Sequence, residues 1–269
     1  MRRICLKWAV VILLCRMLPA GASESPEDVI TERLVAMYPD TEIVWLRANG
    51  ERFISLYRQP AQQSERAVIL VHGMGQHADW PDVVAPLRSA LPERGWATLS
   101  LQMPILPPEQ RLADYASSAS AATARIGAAM PFLAERGFKH VVVLGYGFGG
   151  ALAATYVARR GAGADAFVGI SMQAPPFLKP AIDLLEVLGR IDLPVLDIYG
   201  TRDFDLVMRE VDDRRLAGIR SGNRRYTQLA VAGADHYFTG MQDRLVSVVV
   251  DWLARELPLA QVTAGEANQ

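Results

Sequence analysis

From Ala67 onward the chain alternates between two hydrophobic patterns. Short runs in which almost every position is apolar occur at 67–71, 96–101, 140–144, 166–170, 195–199 and 226–231. Between and after them, apolar residues recur every three or four positions over 82–94, 111–136, 149–160, 178–190, 205–220 and 239–257, the spacing of amphipathic helices. Near-continuous Val/Ile/Leu runs are expected of strands covered by helices on both faces of a parallel sheet. Repeated strand–helix units of this kind predict one doubly wound, mostly parallel α/β domain. Upstream, Ser25-Pro26-Glu27-Asp28 opens a helix over 24–38, with proline in the first turn and acids near the N-terminus. Residues 42–46 and 53–58 flank Asn49-Gly50 and predict a hairpin, and 59–66 is a polar linker.

The first residues do not belong to this pattern. Arg2, Arg3 and Lys7 precede an apolar run over 8–15, and Ala20-Gly21-Ala22 follows. A basic start, a short apolar stretch and an A-x-A site make a secretory signal peptide, and the run is short for a bilayer span. The chain therefore divides into a signal peptide at 1–22, a domain at 23–257 and a disordered tail at 258–269. Cleavage after Ala22 would make the mature protein periplasmic or secreted. Retention of the segment, which Arg16 closes with a charge, would make it a membrane anchor instead.

Both cysteines, Cys5 and Cys15, lie inside that segment, so a chain beginning at Ser23 has no thiol for a disulfide, a nucleophile or a metal. Leu13-Leu14 ahead of Cys15 lacks the small residues that usually precede a lipidated cysteine. Loss of 1–22 removes four basic residues and no acidic one, leaving 24 basic against 29 acidic, a balance that suggests no nucleic-acid partner. With 51% hydrophobic residues over 269 positions, the chain can fill the core of one large domain.

The stretch V-V-V-L-G-Y-G-F-G-G-A-L carries the chemistry question. Gly145, Gly147 and Gly150 satisfy G-x-G-x-x-G, the dinucleotide fingerprint. Gly145, Gly147 and Gly149 equally satisfy G-x-S-x-G, the nucleophile elbow, with glycine where serine belongs. A dinucleotide site expects an acid about 20 residues further on, at the end of the next strand. Here that strand ends Ile170-Ser171-Met172-Gln173, and the nearest acid, Asp165, precedes it. No G-K-[ST] marks a phosphate loop either. An elbow expects a loop after an earlier strand, then an acid, then a histidine before the last helix. V-I-L-V-H-G-M-G-Q-H supplies the loop, P-V-L-D-I-Y-G-T-R-D supplies Asp203, and A-G-A-D-H-Y-F supplies His236, in the right order.

On these motifs the chain from about Glu42 to Leu257 resembles the α/β-hydrolase superfamily. H-G-M-G-Q-H-A-D-W-P and G-W-A-T-L-S-L-Q-M-P resemble an uncharacterised branch of exported bacterial proteins with that fold. The resemblance implies a mostly parallel doubly wound sheet preceded by a hairpin, and no particular substrate. It gives Gly147 the degenerate nucleophile position, Asp203 and His236 the acid and the base, and the backbone N–H groups of Met74 and Phe148 the oxyanion hole. Only 22 residues, 172–193, fill the place where the superfamily inserts its lid, room for one helix. Phe177, Leu178, Leu184 and Leu185 could make it an apolar cover over a shallow, open cleft.

Other residues compete for these roles. Asp197 is a rival acid, but inside an apolar strand it reads as a buried carboxylate bonded to backbone or to an arginine. Ser171, Ser117, Ser118 and Ser120 are alternative nucleophiles, none on a turn aimed at His236. His72 and Gly73 shape the loop. His77, with His72 and Asp79, does not have the spacing of a helical metal-ligand pair, and His140 beside Lys139 reads as surface. Asp212-Asp213-Arg214-Arg215 with Arg220, Arg224 and Arg225 reads as a solvated helix end, or as a site for an anionic envelope polymer. No cofactor or metal is expected.

Glycine offers no nucleophile. Deleting the serine of a working triad costs about 10⁶ in kcat. The first functional reading is therefore a degenerate hydrolase acting as an envelope binding or accessory protein for a small molecule or envelope component. The alternative is an enzyme, hydrolase or lyase-like, in which Asp203 and His236 act as general base on water or a substrate C–H without a covalent intermediate, a proton transfer worth roughly 10²–10⁴-fold.

Overall fold

The computed structural model describes residues 25–258, apart from 108, 160, 161 and 221. The signal-peptide segment and all but the first residue of the tail lie outside the described residues. The described chain opens with α1 (Pro26–Met37), whose N-terminus is closed by a capping box between Ser25 and Asp28. It continues into β1 (Ile43–Ala48) and β2 (Glu51–Arg58), paired antiparallel. Asn49 and Gly50 both take positive φ, 52° and 83°, as the tight hairpin turn demands.

The body follows as β3 (Arg66–Val71), α2 (Val84–Ala90), β4 (Ala97–Leu101), α3 (Ala119–Glu135), β5 (His140–Tyr146), α4 (Phe148–Val157), β6 (Ala166–Ile170), α5 (Leu184–Leu188), β7 (Val195–Arg202), α6 (Asp205–Arg209), α7 (Val211–Arg220), β8 (Tyr226–Asp235) and α8 (Gln242–Glu256). The strands form one eight-stranded sheet in the order β1-β2-β4-β3-β5-β6-β7-β8, parallel from β4 to β8. Alternate residues of each central strand serve opposite layers. Ile69 and Val143 meet α3 and α4, whereas Val68, Leu70 and Val142 meet α2 and α8. That two-sided burial is why the strands read as unbroken apolar runs. Among the described residues no helix is long and apolar enough to cross a membrane.

Four expectations change. The 178–190 helix shrinks to α5, because Pro175, Pro176 and Pro180 cannot donate to a helical ladder and the segment before it runs as a loop. Leu184, Val187 and Leu188 are buried in the core and α5 packs on α4 and α7, so it is not a cover over the cleft. The 205–220 helix is two, α6 and α7, broken at Glu210. The charged run is not wholly solvated. Arg214 is fully buried and pairs with Asp197 at 3.0 Å, while Asp212, Asp213, Arg215, Arg220, Arg224 and Arg225 are exposed. Asp197 Oδ2 also accepts from Tyr226 Oη at 2.9 Å and Gln228 Nε2 at 2.8 Å, the structural carboxylate that its apolar strand implied.

Candidate active site at the glycine elbow

β5 ends at Tyr146 and α4 begins at Phe148, so strand turns into helix through the single residue Gly147, at φ 57° and ψ −124°. A side chain in such a conformation costs on the order of 1–3 kcal/mol, which glycine escapes. Space is not the constraint. A Cβ built on Gly147 would meet His236 Nε2 at 3.8 Å, Gln173 Nε2 at 3.9 Å and Gly73 Cα at 4.0 Å. Gly145 and Gly149 differ, since a Cβ there would lie 2.5 Å from Gly149 O and 2.1 Å from His72 O respectively. The other glycines of the motif thus let α4 press against the ends of β3 and β5, and a packing requirement accounts for them without a pyrophosphate.

Asp203 follows β7 and His236 follows β8, at the same end of the sheet as the elbow. His236 Nδ1 lies 2.6 Å from Asp203 Oδ1. A carboxylate on Nδ1 fixes the proton there and leaves Nε2, the nitrogen facing Gly147, as the basic atom. Asp203 is buried, and every bond it makes favours the ionised form. Its Oδ1 also accepts from Phe204 N at 2.7 Å, and its Oδ2 accepts from Ser171 Oγ at 2.5 Å and Gly200 N at 3.4 Å. Burial alone would raise this carboxyl, but the bonds from His236 and Ser171, with the histidine's charge, outweigh it and hold the pKa below the usual value.

Aromatic rings fix the plane of the imidazole. Phe204 stacks on it with centroids 4.0 Å apart and planes 14° from parallel, and Tyr237 stands edge-on at 5.3 Å. Tyr146 lies against it at 5.3 Å and donates its hydroxyl to His236 O at 3.3 Å. Burial pushes the Tyr146 phenol far above its ordinary value, so it stays a neutral donor.

The loop after β3 is braced from below. Gly73 N donates to Gln76 Oε1 at 2.8 Å. His72 is wholly buried, with Nδ1 2.8 Å from Gly73 O and Nε2 accepting from Met103 N at 2.9 Å. Burial drops its pKa to about 3, so it is neutral and ties this loop to the end of β4. A narrow crevice between Met74, Met103, Tyr115 and Phe148 runs beside the elbow. His77 stacks edge-on with Trp80 and its Nδ1 accepts from Asp79 N, and His140 is exposed. Among the described residues no group of three His, Cys, Asp or Glu side chains is placed to hold a metal.

The structure therefore brings Gly147, His236 and Asp203 together, with Gly73–Met74 and Phe148 beside them. Sequence reasoning missed Gln173, Gln76, Tyr146 and the aromatic pair Phe204 and Tyr237, and it gave Ser171 no part beyond a rejected nucleophile.

Two overlapping segments, 19–124 and 106–255, match the family described as "Protein of unknown function (DUF3530)". The chain belongs to this family. No curated protein matches this DUF3530 sequence. Solved structures resemble it in fold. A Pyrococcus furiosus esterase, Pf2001, is 17% identical over 79% of this chain and 90% of its own, with a TM-score of 0.64. Est1E from Butyrivibrio proteoclasticus is 12% identical over 80% and 99%, TM-score 0.64. An alpha-beta serine hydrolase homologue from Coxiella burnetii is 17% identical over 81% and 99%, TM-score 0.62. This DUF3530 protein has the α/β-hydrolase fold, and its neighbours in fold include esterases.

Proposed function

We propose that the protein is a non-classical α/β-hydrolase-fold enzyme, exported through its N-terminal segment, in which His236 acts as a general base without a covalent intermediate. Asp203 orients the imidazole, and the N–H groups of Met74 and Phe148 hold the oxyanion that develops on a carbonyl substrate. The observation that carries this reading is the fully bonded Asp203 carboxylate, with His236 on one oxygen and Ser171 on the other. Burying a carboxylate is costly, and a protein that only binds has no need of one that aims a base at an elbow.

The chemistry then runs through water. Its oxygen attacks the carbonyl carbon and its proton passes to His236 Nε2. The tetrahedral oxyanion collapses, the bond to the leaving group breaks, and the imidazolium returns the proton to that group. Gly147 itself favours the other reading, an envelope binding or accessory protein for a small molecule or envelope component, since no acyl-enzyme forms there.

Hydrolysis of p-nitrophenyl acetate separates the two. The enzyme reading expects slow turnover with no burst, lost in His236→Ala. The binding reading expects no difference between the two proteins.

A further inference from the structure

Two side chains converge on the place a nucleophile's side chain would occupy, and only one of them is the expected base. His236 Nε2 and Gln173 Nε2 lie 3.8 and 3.9 Å from the same point, a Cβ built on Gly147. His236 is held by Asp203 and by the Phe204 stack. Gln173 is anchored by its own backbone, whose N–H donates to Gly147 O at 3.3 Å. The elbow thus carries Gln173 with it.

We infer that Gln173 is a catalytic residue which, with His236, holds the attacking water. The inference rests on the general-base reading above and deepens it. Serine in an elbow is positioned by its covalent tether to the backbone. Water has no tether, so one hydrogen bond to the base leaves it free to swing, and proton transfer to a positioned base demands a fixed geometry. A second hydrogen bond removes that freedom. A primary amide is suited to it, because a half-turn about the last side-chain bond presents either an acceptor or a donor. With Oε1 inward, Gln173 accepts one hydrogen of the water while His236 Nε2 accepts the other. A lone pair of the water is then left for the carbonyl carbon, near the Met74 and Phe148 N–H groups. Gln173 takes no proton. The only proton that moves is the one passed to His236 and returned to the leaving group.

The same geometry explains why Gln173 matters only when residue 147 lacks a side chain. A hydroxyl on residue 147 would fill the water's place and be held by the backbone instead.

The test has a structural arm and a kinetic arm. A high-resolution crystal structure of the full chain is expected to show one ordered water within hydrogen-bond distance of both His236 Nε2 and the Gln173 amide, absent in Gln173→Leu. Hydrolysis of p-nitrophenyl acetate by Gln173→Leu should fall roughly 10- to 100-fold, the cost of losing the fixed geometry of the attacking water. KM should be unchanged, with partial rescue in Gln173→Glu. In a Gly147→Ser background, Gln173→Leu should leave labelling by a fluorophosphonate probe unchanged, whereas a merely structural role would slow it. A water bonded to His236 alone, or labelling that collapses in the double variant, overturns the inference. Wild type as inactive as His236→Ala would overturn the general-base reading instead, and the water structure would still decide the site.

Discussion

Ser171 donates its hydroxyl to Asp203 Oδ2 across 2.5 Å from a backbone held at φ 48°, and both residues are buried. A non-glycine residue at positive φ is uncommon and costs energy, so the surrounding structure must fix it. Here the next strand does so, because Ser171 N donates to Ile198 O at 2.7 Å. The strained turn at the end of β6 delivers a hydroxyl to the carboxylate oxygen that His236 leaves free. It is the counterpart of the turn at Gly147 on the neighbouring strand.

The pair of substitutions Ser171→Ala and Ser171→Gly separates the bond from the strain. Both lose a hydrogen bond to a charged group, about 1.5–3 kcal/mol. Only glycine also escapes the backbone cost, on the order of 1 kcal/mol or more. Urea unfolding should therefore rank wild type above Ser171→Gly and Ser171→Gly above Ser171→Ala. An alanine variant at least as stable as the glycine variant would mean that φ 48° carries no strain.

Much of this was legible in the sequence, and the omissions have a common cause. The six apolar runs became strands, the central ones because each is covered on both sides, while β8 at the sheet edge is half-exposed. β7 and β8 run on past their apolar parts to Arg202 and Asp235, through small and polar residues whose ladder the apolar pattern cannot register. The order Gly147, Asp203, His236 is a property of the chain and could be read. Gln173 and Ser171 reach the site because β6 lies between β5 and β7, so that its end abuts both the elbow and the acid. That adjacency belongs to the sheet order. Arg214 is hidden in the sequence for the same reason, since its neighbours Asp212, Asp213 and Arg215 are solvated and only packing turns it inward to Asp197.

Acid should loosen the fold through His72 before it reaches Asp203. Burial, reinforced by the charges of His77 and Arg125, lowers the His72 pKa from 6.5 to about 3, against a raising contribution from Gly73 O. The folded state then binds fewer protons than the unfolded chain between those values. The stability that follows is fully present above about pH 6.5 and is lost as pH falls toward the folded value, by about 1.4 kcal/mol per pH unit. Asp203 is also depressed, and its contribution is lost only as pH falls below the ordinary carboxylate value of about 3.9 toward its lower folded value. Unfolding free energies measured between about pH 6.5 and pH 4 should slope downward in wild type and less steeply in His72→Gln. Equal slopes would show that His72 is not held neutral.

The Asp197–Arg214 pair gives a stability test away from the site. Both side chains are fully buried, so removing one partner strands a charge. Arg214→Met should cost about 3–5 kcal/mol, and adding Asp197→Leu should restore part of that loss, because the buried carboxylate goes with it. A double variant less stable than Arg214→Met would mean that Tyr226 and Gln228, which also bond Asp197, suffice to hold the carboxylate.

Gly147→Ser asks whether the elbow still works as one. The introduced Cβ meets nothing nearer than 3.8 Å, so the cost is confined to the backbone at φ 57°, ψ −124°. That cost is on the order of 1–3 kcal/mol, and the variant should melt below wild type. The new hydroxyl would stand beside His236 Nε2, which Asp203 already orients, and the remaining parts of a triad act on whatever nucleophile they are given. A fluorophosphonate probe should label the introduced serine, and p-nitrophenyl acetate should give an acyl burst that wild type lacks. Both should vanish when His236→Ala is added. A folded variant that is not labelled would show that the dyad or the N–H pair of Met74 and Phe148 is not competent, and would favour the binding protein. Labelling of wild type at some other serine would remove Gly147 from the nucleophile position altogether.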